Sequence, residues 1–187
     1  MQGYLPEMKQ FVESLPGTKV IDAGCGGGSD TDRLLRDRLN VIGVDFAPNI
    51  LEQAKLSFPD AADHFMLMDV TALSFPGNSY SGIWCRAVLL HLPPEKAREA
   101  VNSFHRVLEP GGKLFIRTME SRLGKQYEAK EKFIVDGHPF GFRYFKTYEE
   151  AEVRSMLQEA GFSSIKLDVV PDEMNKPIAW LNAWAAK

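Results

Sequence analysis

Apolar and polar positions fall into blocks along this chain, and the blocks predict strands alternating with helices. Residues 4–14 carry a weak helical pattern that stops before Pro16-Gly17. "KVIDAG" (19–24) then reads as a strand covered on both faces, because a short apolar run ending in glycine suits a buried parallel sheet. Residues 30–38 follow as a helix and "NVIGVDF" (40–46) as a second strand. "PNILEQAKLSF" (48–58) is a helix with Pro48 in its first turn, where a missing N–H costs little. "HFMLMDV" (64–70) makes a third strand and "SGIWCRAVLL" (81–90) begins as a fourth. The helix over 94–107 sets Ala97, Ala100, Val101, Phe104, Val107 and Leu108 on one stripe.

"PGG" (110–112) reads as a turn and "KLFIRT" (113–118) as the fifth strand. A helix over 147–160, stopped by Gly161, precedes "SSIKLDVV" (163–170) and "PIAWLNAWAA" (177–186). Five alternating units predict an α/β domain with a parallel sheet and helices on both faces. The last two strands have no helix between them, so they predict an antiparallel hairpin at one sheet edge.

At 187 residues, 44% hydrophobic and 25% charged, the chain reads as one globular domain spanning 1–187, able to bury a full core. Net charge is −3 with Lys and Arg scattered, which argues against a nucleic-acid partner. The opening "MQGYLPEMKQFVESL" has no basic stretch followed by an apolar run, and no segment has the length of a membrane span. A cytoplasmic protein without a membrane partner is expected. Two cysteines make no disulfide framework, and the four histidines show no metal-ligand spacing, so reduced thiols and no metal are expected.

The candidate chemistry centres on the glycines of "AGCGGGSD" (23–30), at the carboxyl end of the first strand, where ligands bind in such sheets. A P-loop would end in Gly-Lys-Ser/Thr, whereas this loop runs into Ser29-Asp30-Thr31. A dinucleotide motif would place its third glycine at position 29, which is serine; Gly24, Gly26 and Gly28 form G-x-G-x-G instead. Asp45 ends the second strand, where a carboxylate can accept from both hydroxyls of a ribose. Asp30 and Asp32 would disfavour a pyrophosphate relative to a ligand with an ammonium group, or simply serve as acids at a helix N-terminus. Asp69-Val70 closes the third strand, where a carboxylate can accept from an adenine amino group and the next N–H can donate to a ring nitrogen.

These segments, "VIDAGCGGG", "GVDF", "MLMDV", "GIWCRAVLLHL" and "VLEPGGKLFI", resemble in order and spacing the motifs of class I S-adenosylmethionine-dependent methyltransferases. The resemblance covers residues 18–118, and "FKTYEEAEVRSMLQEAGFSSIKL" (145–167) resembles that family's last helix and sixth strand. It implies a Rossmann-like, doubly wound seven-stranded sheet of order 3-2-1-4-5-7-6 with strand 7 antiparallel. It implies S-adenosyl-L-methionine as cofactor and S-adenosyl-L-homocysteine as product. By resemblance, Asp22 and the Gly24, Cys25, Gly26 and Gly28 backbone lie near the methionine moiety, and Asp45 on the ribose. Phe46 lies beside the adenine, Asp69 and Val70 on its edge, and the Arg86 main-chain carbonyl receives the ammonium group, its side chain having no evident part.

Two segments depart from the family pattern. Tyr80-Ser81 stands where Phe-Asp is frequent, and "CRAV" (85–88) where enzymes that methylate base amino groups carry Asn/Asp-Pro-Pro-Tyr/Phe. The second departure disfavours methylation of a base amino group, and from the short N-terminus and the absence of an added domain a small-molecule acceptor is expected. Methyl transfer needs a general base only when the nucleophile is protonated. His91, just past the fourth strand, is the candidate base or a loop-holding residue, whereas His64 and His105 fall away from the active end. Residues 119–146 are the longest insertion, either a substrate-side lid or a helix across the sheet edge. Glu120, Tyr127, His138, Arg143 and Tyr144 are its candidate substrate contacts. Cys25 and Cys85 read as small residues near the pocket rather than a redox switch, and Trp180 and Trp184 as core or edge packing. The competing readings are a catalytically silent binding module on the same fold and a nicotinamide-dependent oxidoreductase.

Overall fold

The computed structural model describes residues 5–121, 128–135, 138–172 and 178–187; within 128–135 and 138–143 it describes the backbone only. The elements run α1 (Pro6–Ser14), β1 (Lys19–Ala23), α2 (Ser29–Arg36), β2 (Asn40–Asp45), α3 (Pro48–Ser57), β3 (Phe65–Leu67), β4 (Tyr80–Arg86) and α4 (Pro94–Val107). They continue as β5 (Leu108–Met119), β6 (Glu128–Val135), β7 (His138–Lys146), α5 (Glu150–Glu159), β8 (Ser163–Pro171) and β9 (Ala179–Ala186). Seven strands form one sheet of order β3-β2-β1-β4-β5-β9-β8. All neighbours from β3 to β5 pair in parallel, and β9 pairs antiparallel with both β5 and β8. With the separate β6–β7 hairpin set aside, this is the expected order, and only β9 runs against the rest.

Three expectations are corrected. The described residues of 119–146 form no helix across the sheet edge: 128–135 and 138–146 pair as an antiparallel two-stranded sheet, Val135 opposite His138. Asp136-Gly137, between the two segments, is the sequence signal for such a hairpin. The third strand stops at Leu67, and Asp69-Val70 does not close it: Asp69 instead caps a short 3-10 turn over Val70–Ala72. "PGG" lies inside β5, as an irregular stretch of its pairing with β4 between Leu108 and Lys113.

The sheet buries both faces. One face meets α4 and α5 through Ile21, Ile83, Ile116, Phe104, Val153 and Leu157. The predicted α4 stripe lies there, with Ala97, Ala100, Val101, Phe104 and Val107 all buried. The other face meets α1 and α2 through Met8, Phe11, Leu34, Trp84 and Phe115. Trp84 stacks on Phe115 with ring centroids 4.2 Å apart and planes 17° apart, and Phe11 leans on it at 5.4 Å. Trp184 extends this column, 4.5 Å from Phe115. Its indole donates to Asp168 at 3.0 Å, and the Trp180 indole to Asp172 at 2.9 Å, so both tryptophans are edge packing anchored by β8 and the residue after it. Among the described residues, no helix is long and apolar enough to cross a membrane.

Candidate cofactor site

The glycine loop leaves β1 and is tied at once to β2: the N–H groups of Gly24 and Cys25 both donate to the Val44 carbonyl, at 2.8 and 3.0 Å. Gly28 then starts α2 at φ +84°, a left-handed conformation that an L side chain adopts only with strain. A Cβ there would also sit 2.5 Å from the Phe65 ring, and one on Gly24 would run into Val88. At Gly26 and Gly27 an added Cβ would meet nothing within 4 Å. The loop is therefore packed on its inner side and bare on its outer side, which leaves backbone that a ligand can lie against.

Asp45 borders the open side. Its Oδ2 accepts from Gly26 N and its Oδ1 from Ala47 N, each at 3.0 Å, so the loop itself aims the carboxylate. Each oxygen keeps acceptor capacity for a further donor. Phe46 follows with 76% of its surface exposed, which is unusual for a large apolar ring and suits an aromatic ligand. On the neighbouring strand end Asp69 is exposed and accepts from Thr71 N at 2.8 Å, while Val70 is buried.

Asp22 lies beneath the loop rather than on it, only 2% exposed, and accepts from the Thr31 hydroxyl at 2.6 Å. Burial, then the nearby Asp30 carboxylate, pushes its pKa from 3.8 up to about 7, against the opposing pull of the Thr31 hydrogen bond and Arg86. The folded protein thus holds this proton more tightly than the unfolded chain does. As pH rises from about 4 to about 7 the unfolded chain gives it up first, and stability falls through this group. Asp22→Asn should flatten that part of the curve, read as the urea midpoint against pH; parallel curves for the two proteins would disprove it.

Asp30 is the site's hub, and its partners come from far along the chain. It accepts from Trp84 Nε1 at 3.0 Å, from Arg86 Nε at 2.6 Å and Nη2 at 3.3 Å, and from Arg33 Nη1 at 2.9 Å. Asp32 pairs with Arg36 at 2.9 Å. Asp30 is therefore more than a helix N-terminal acid, and the Arg86 side chain, to which the sequence assigns no part, is fixed by it. Nothing in the periodicity of β4 or α2 announces this contact. Cys25 and Cys85 are both buried free thiols, and burial, with nearby carboxylates, pushes their pKa values up, so neither is a ready thiolate.

His91 follows β4 in a short turn over Leu89–His91. Its ring meets the Tyr144 carbonyl through Nδ1 at 3.1 Å and Phe145 edge-on at 5.8 Å. The loop-holding role is thus realised, because a carbonyl oxygen can only accept, and Nδ1 carries the proton. This tautomer leaves the lone pair on Nε2. Of the candidate substrate residues, the structure brings Tyr144 beside His91 and places Glu120 at the end of β5, bridged to Tyr148. His138 and Arg143 fall on β7, where only the backbone is described, and Tyr127 lies outside the described residues. His64 is bound to the Val41 carbonyl at 2.7 Å and His105 packs against Phe162, both away from the loop. Among the described residues no group of acids, histidines and cysteines could hold a metal ion.

A fold of this strand order, with a bare glycine loop after β1 and an acid ending β2, defines a nucleotide-type binding domain of the methyltransferase kind. A family described as a methyltransferase domain matches residues 20–112. A phosphoethanolamine N-methyltransferase of Triticum aestivum is 30% identical over 180 residues, covering 93% of this chain and 34% of that protein. A ubiquinone biosynthesis O-methyltransferase of Xylella fastidiosa is 29% identical over 154 residues, covering 79% of this chain and 62% of the relative. Among solved structures, Burkholderia thailandensis 1,6-didemethyltoxoflavin-N1-methyltransferase with bound 1,6-didemethyltoxoflavin and S-adenosylhomocysteine superposes with a TM-score of 0.78 at 22% identity. That match covers 97% of this chain and 76% of the other. This chain spans about a third of the wheat relative's length. The chain belongs to the class I S-adenosylmethionine-dependent methyltransferases, whose cofactor is S-adenosyl-L-methionine.

Proposed function

We propose that this chain, acting as one domain over residues 1–187, transfers the methyl group of S-adenosyl-L-methionine to an O, N or C nucleophile of a small-molecule acceptor, leaving S-adenosyl-L-homocysteine. The observation that carries this reading is the loop: bare at Gly26 and Gly27, with the Asp45 carboxylate aimed along it and Phe46 exposed at its end. When bound, the cofactor supplies an electrophilic methyl on a sulfonium, with a neutral thioether as leaving group.

The residues present fit that group. Asp45 accepts from the ribose hydroxyls, Phe46 covers one face of the adenine, and Asp69 with the Val70 N–H reads its edge. The Gly24, Cys25, Gly26 and Gly28 backbone lies against the methionine portion, and the Arg86 carbonyl accepts from its ammonium. Asp22 acts one step removed, holding α2 to β1 through Thr31. The protein's task is then alignment and exclusion of water more than proton chemistry. For a protonated nucleophile, His91 takes the proton at Nε2, its ring already oriented by the Tyr144 carbonyl. Residues 119–146 supply the acceptor side, with Tyr127, His138, Arg143 and Tyr144 as its contacts. Support for a small acceptor comes from the relatives, named for phosphoethanolamine and for ubiquinone biosynthesis.

Calorimetry with S-adenosylmethionine, S-adenosylhomocysteine and NADH tests the reading. Micromolar binding of both sulfur ligands and none of NADH is expected, followed by turnover in a screen of small amines, phenols and carboxylates. Binding without any turnover would favour a catalytically silent module, and a folded sample that binds neither sulfur ligand would sink the proposal.

A further inference from the structure

We propose that the Arg86 side chain is a carboxylate clamp: its guanidinium, locked in place by Asp30, receives the carboxylate at the amino-acid end of S-adenosylmethionine. This rests on the cofactor reading above and extends it to a group that otherwise has no partner.

Position comes first. Asp22 of β1 pairs with Trp84 of β4, so two residues further on the glycine loop stands beside Arg86. Asp45 lies on β2, on the opposite flank of β1. A ligand whose ribose sits at Asp45 and whose chain crosses the loop therefore ends at β4. For an adenosine carrying an amino acid, that end bears one ammonium and one carboxylate, and a cation there selects the carboxylate.

Charge and geometry agree with position. Asp30 takes the Nε and Nη2 edge of Arg86 and also binds Arg33 and the Trp84 indole, so one buried carboxylate faces two guanidinium groups. Burial raises the pKa of the neighbouring Asp22, so it opposes the Arg86 charge less than an ordinary carboxylate would. The Arg86 guanidinium also has a way out: its side chain is 36% exposed while that of Asp30 is 7% exposed. No described residue accepts from Nη1. A guanidinium fixed along one edge on a partly exposed side chain binds a carboxylate without first losing side-chain freedom. Lysine could carry the charge here but could not hold Asp30 and a ligand in one rigid plane.

The test compares S-adenosylmethionine with decarboxylated S-adenosylmethionine by calorimetry, on proteins shown folded by thermal melts. Wild type should prefer the carboxylated ligand by about tenfold to a hundredfold, the usual range for a charge-assisted hydrogen bond. Arg86→Met should abolish the preference, and Arg86→Lys should retain part of it. Arg33→Met, which removes a charge from the same carboxylate, should leave the preference largely intact. Equal wild-type affinity for the two ligands overturns the clamp, whether or not the variants fold. So does an undiminished preference in Arg86→Met, or an equal loss in Arg33→Met, which would mark a general field rather than a contact. Failure of folded wild type to bind either ligand is a distinct result that removes the cofactor reading and the clamp together.

Discussion

Alanine at position 45 is expected to weaken S-adenosylmethionine binding by about 1.5 to 3 kcal/mol, or roughly tenfold to above a hundredfold. The Asp45 carboxylate does two things at once. It offers charge-assisted acceptors to the ribose, and it holds Gly26 N and Ala47 N, each at 3.0 Å. Alanine removes both, so the loop loses the tie that keeps its bare side toward the ligand. Asp45→Asn separates the two contributions: its carbonyl can still accept from one of the two amides, while the charge is gone. The asparagine variant should lie between wild type and alanine in calorimetric affinity. Unchanged affinity in a folded alanine variant would mean that the ribose does not bind at the end of β2.

Trp84→Ala should lower folding stability by about 3–5 kcal/mol, the usual cost of truncating a large buried aromatic. The side chain is fully buried and stacked between Phe115 and Phe11, so its removal opens a cavity against the central strands, where neighbours cannot collapse without moving the sheet. It also takes away the indole N–H that Asp30 accepts. A typical domain has only about 5–15 kcal/mol of stability to lose, so the variant sits near its folding limit. Urea denaturation measures the effect, and a loss below about 1 kcal/mol would show that the aromatic column does not hold this face together. Trp84→Phe keeps part of the stack and should cost less, while still removing the Asp30 contact. That makes it the better background for asking how far the Asp30–Arg86 pair depends on the indole.

The parallel core was legible because each of its strands is a local signal. β1 and β4 centre on short apolar runs, Val20-Ile21 and Ile83-Trp84-Cys85, and are buried almost throughout, as strands covered on both faces are, and the α4 stripe repeats at helical spacing. The β6–β7 hairpin was less legible. "EAKEKFIV" alternates too weakly, and carries too much charge, to stand out as a strand, although Asp136-Gly137 between the two runs is a turn signal. The end of β3 misled for a related reason: an apolar run gives the strand's existence, while a side-chain cap such as Asp69 to Thr71 decides where it stops.

By itself, then, the sequence determined the strand–helix alternation, the antiparallel edge and the place of the glycine loop with Asp45, because all of these follow from residues close together in the chain. Only the tertiary structure decided that Asp30 binds Arg86 and Trp84, and that His91 is oriented by Tyr144. Those partners are 56, 54 and 53 residues apart. They meet because β1 and β4 are neighbours in the sheet, which brings the start of α2 beside the end of β4, and because β7 lies against the turn that follows β4. No local periodicity records which side chains will face each other across such a junction.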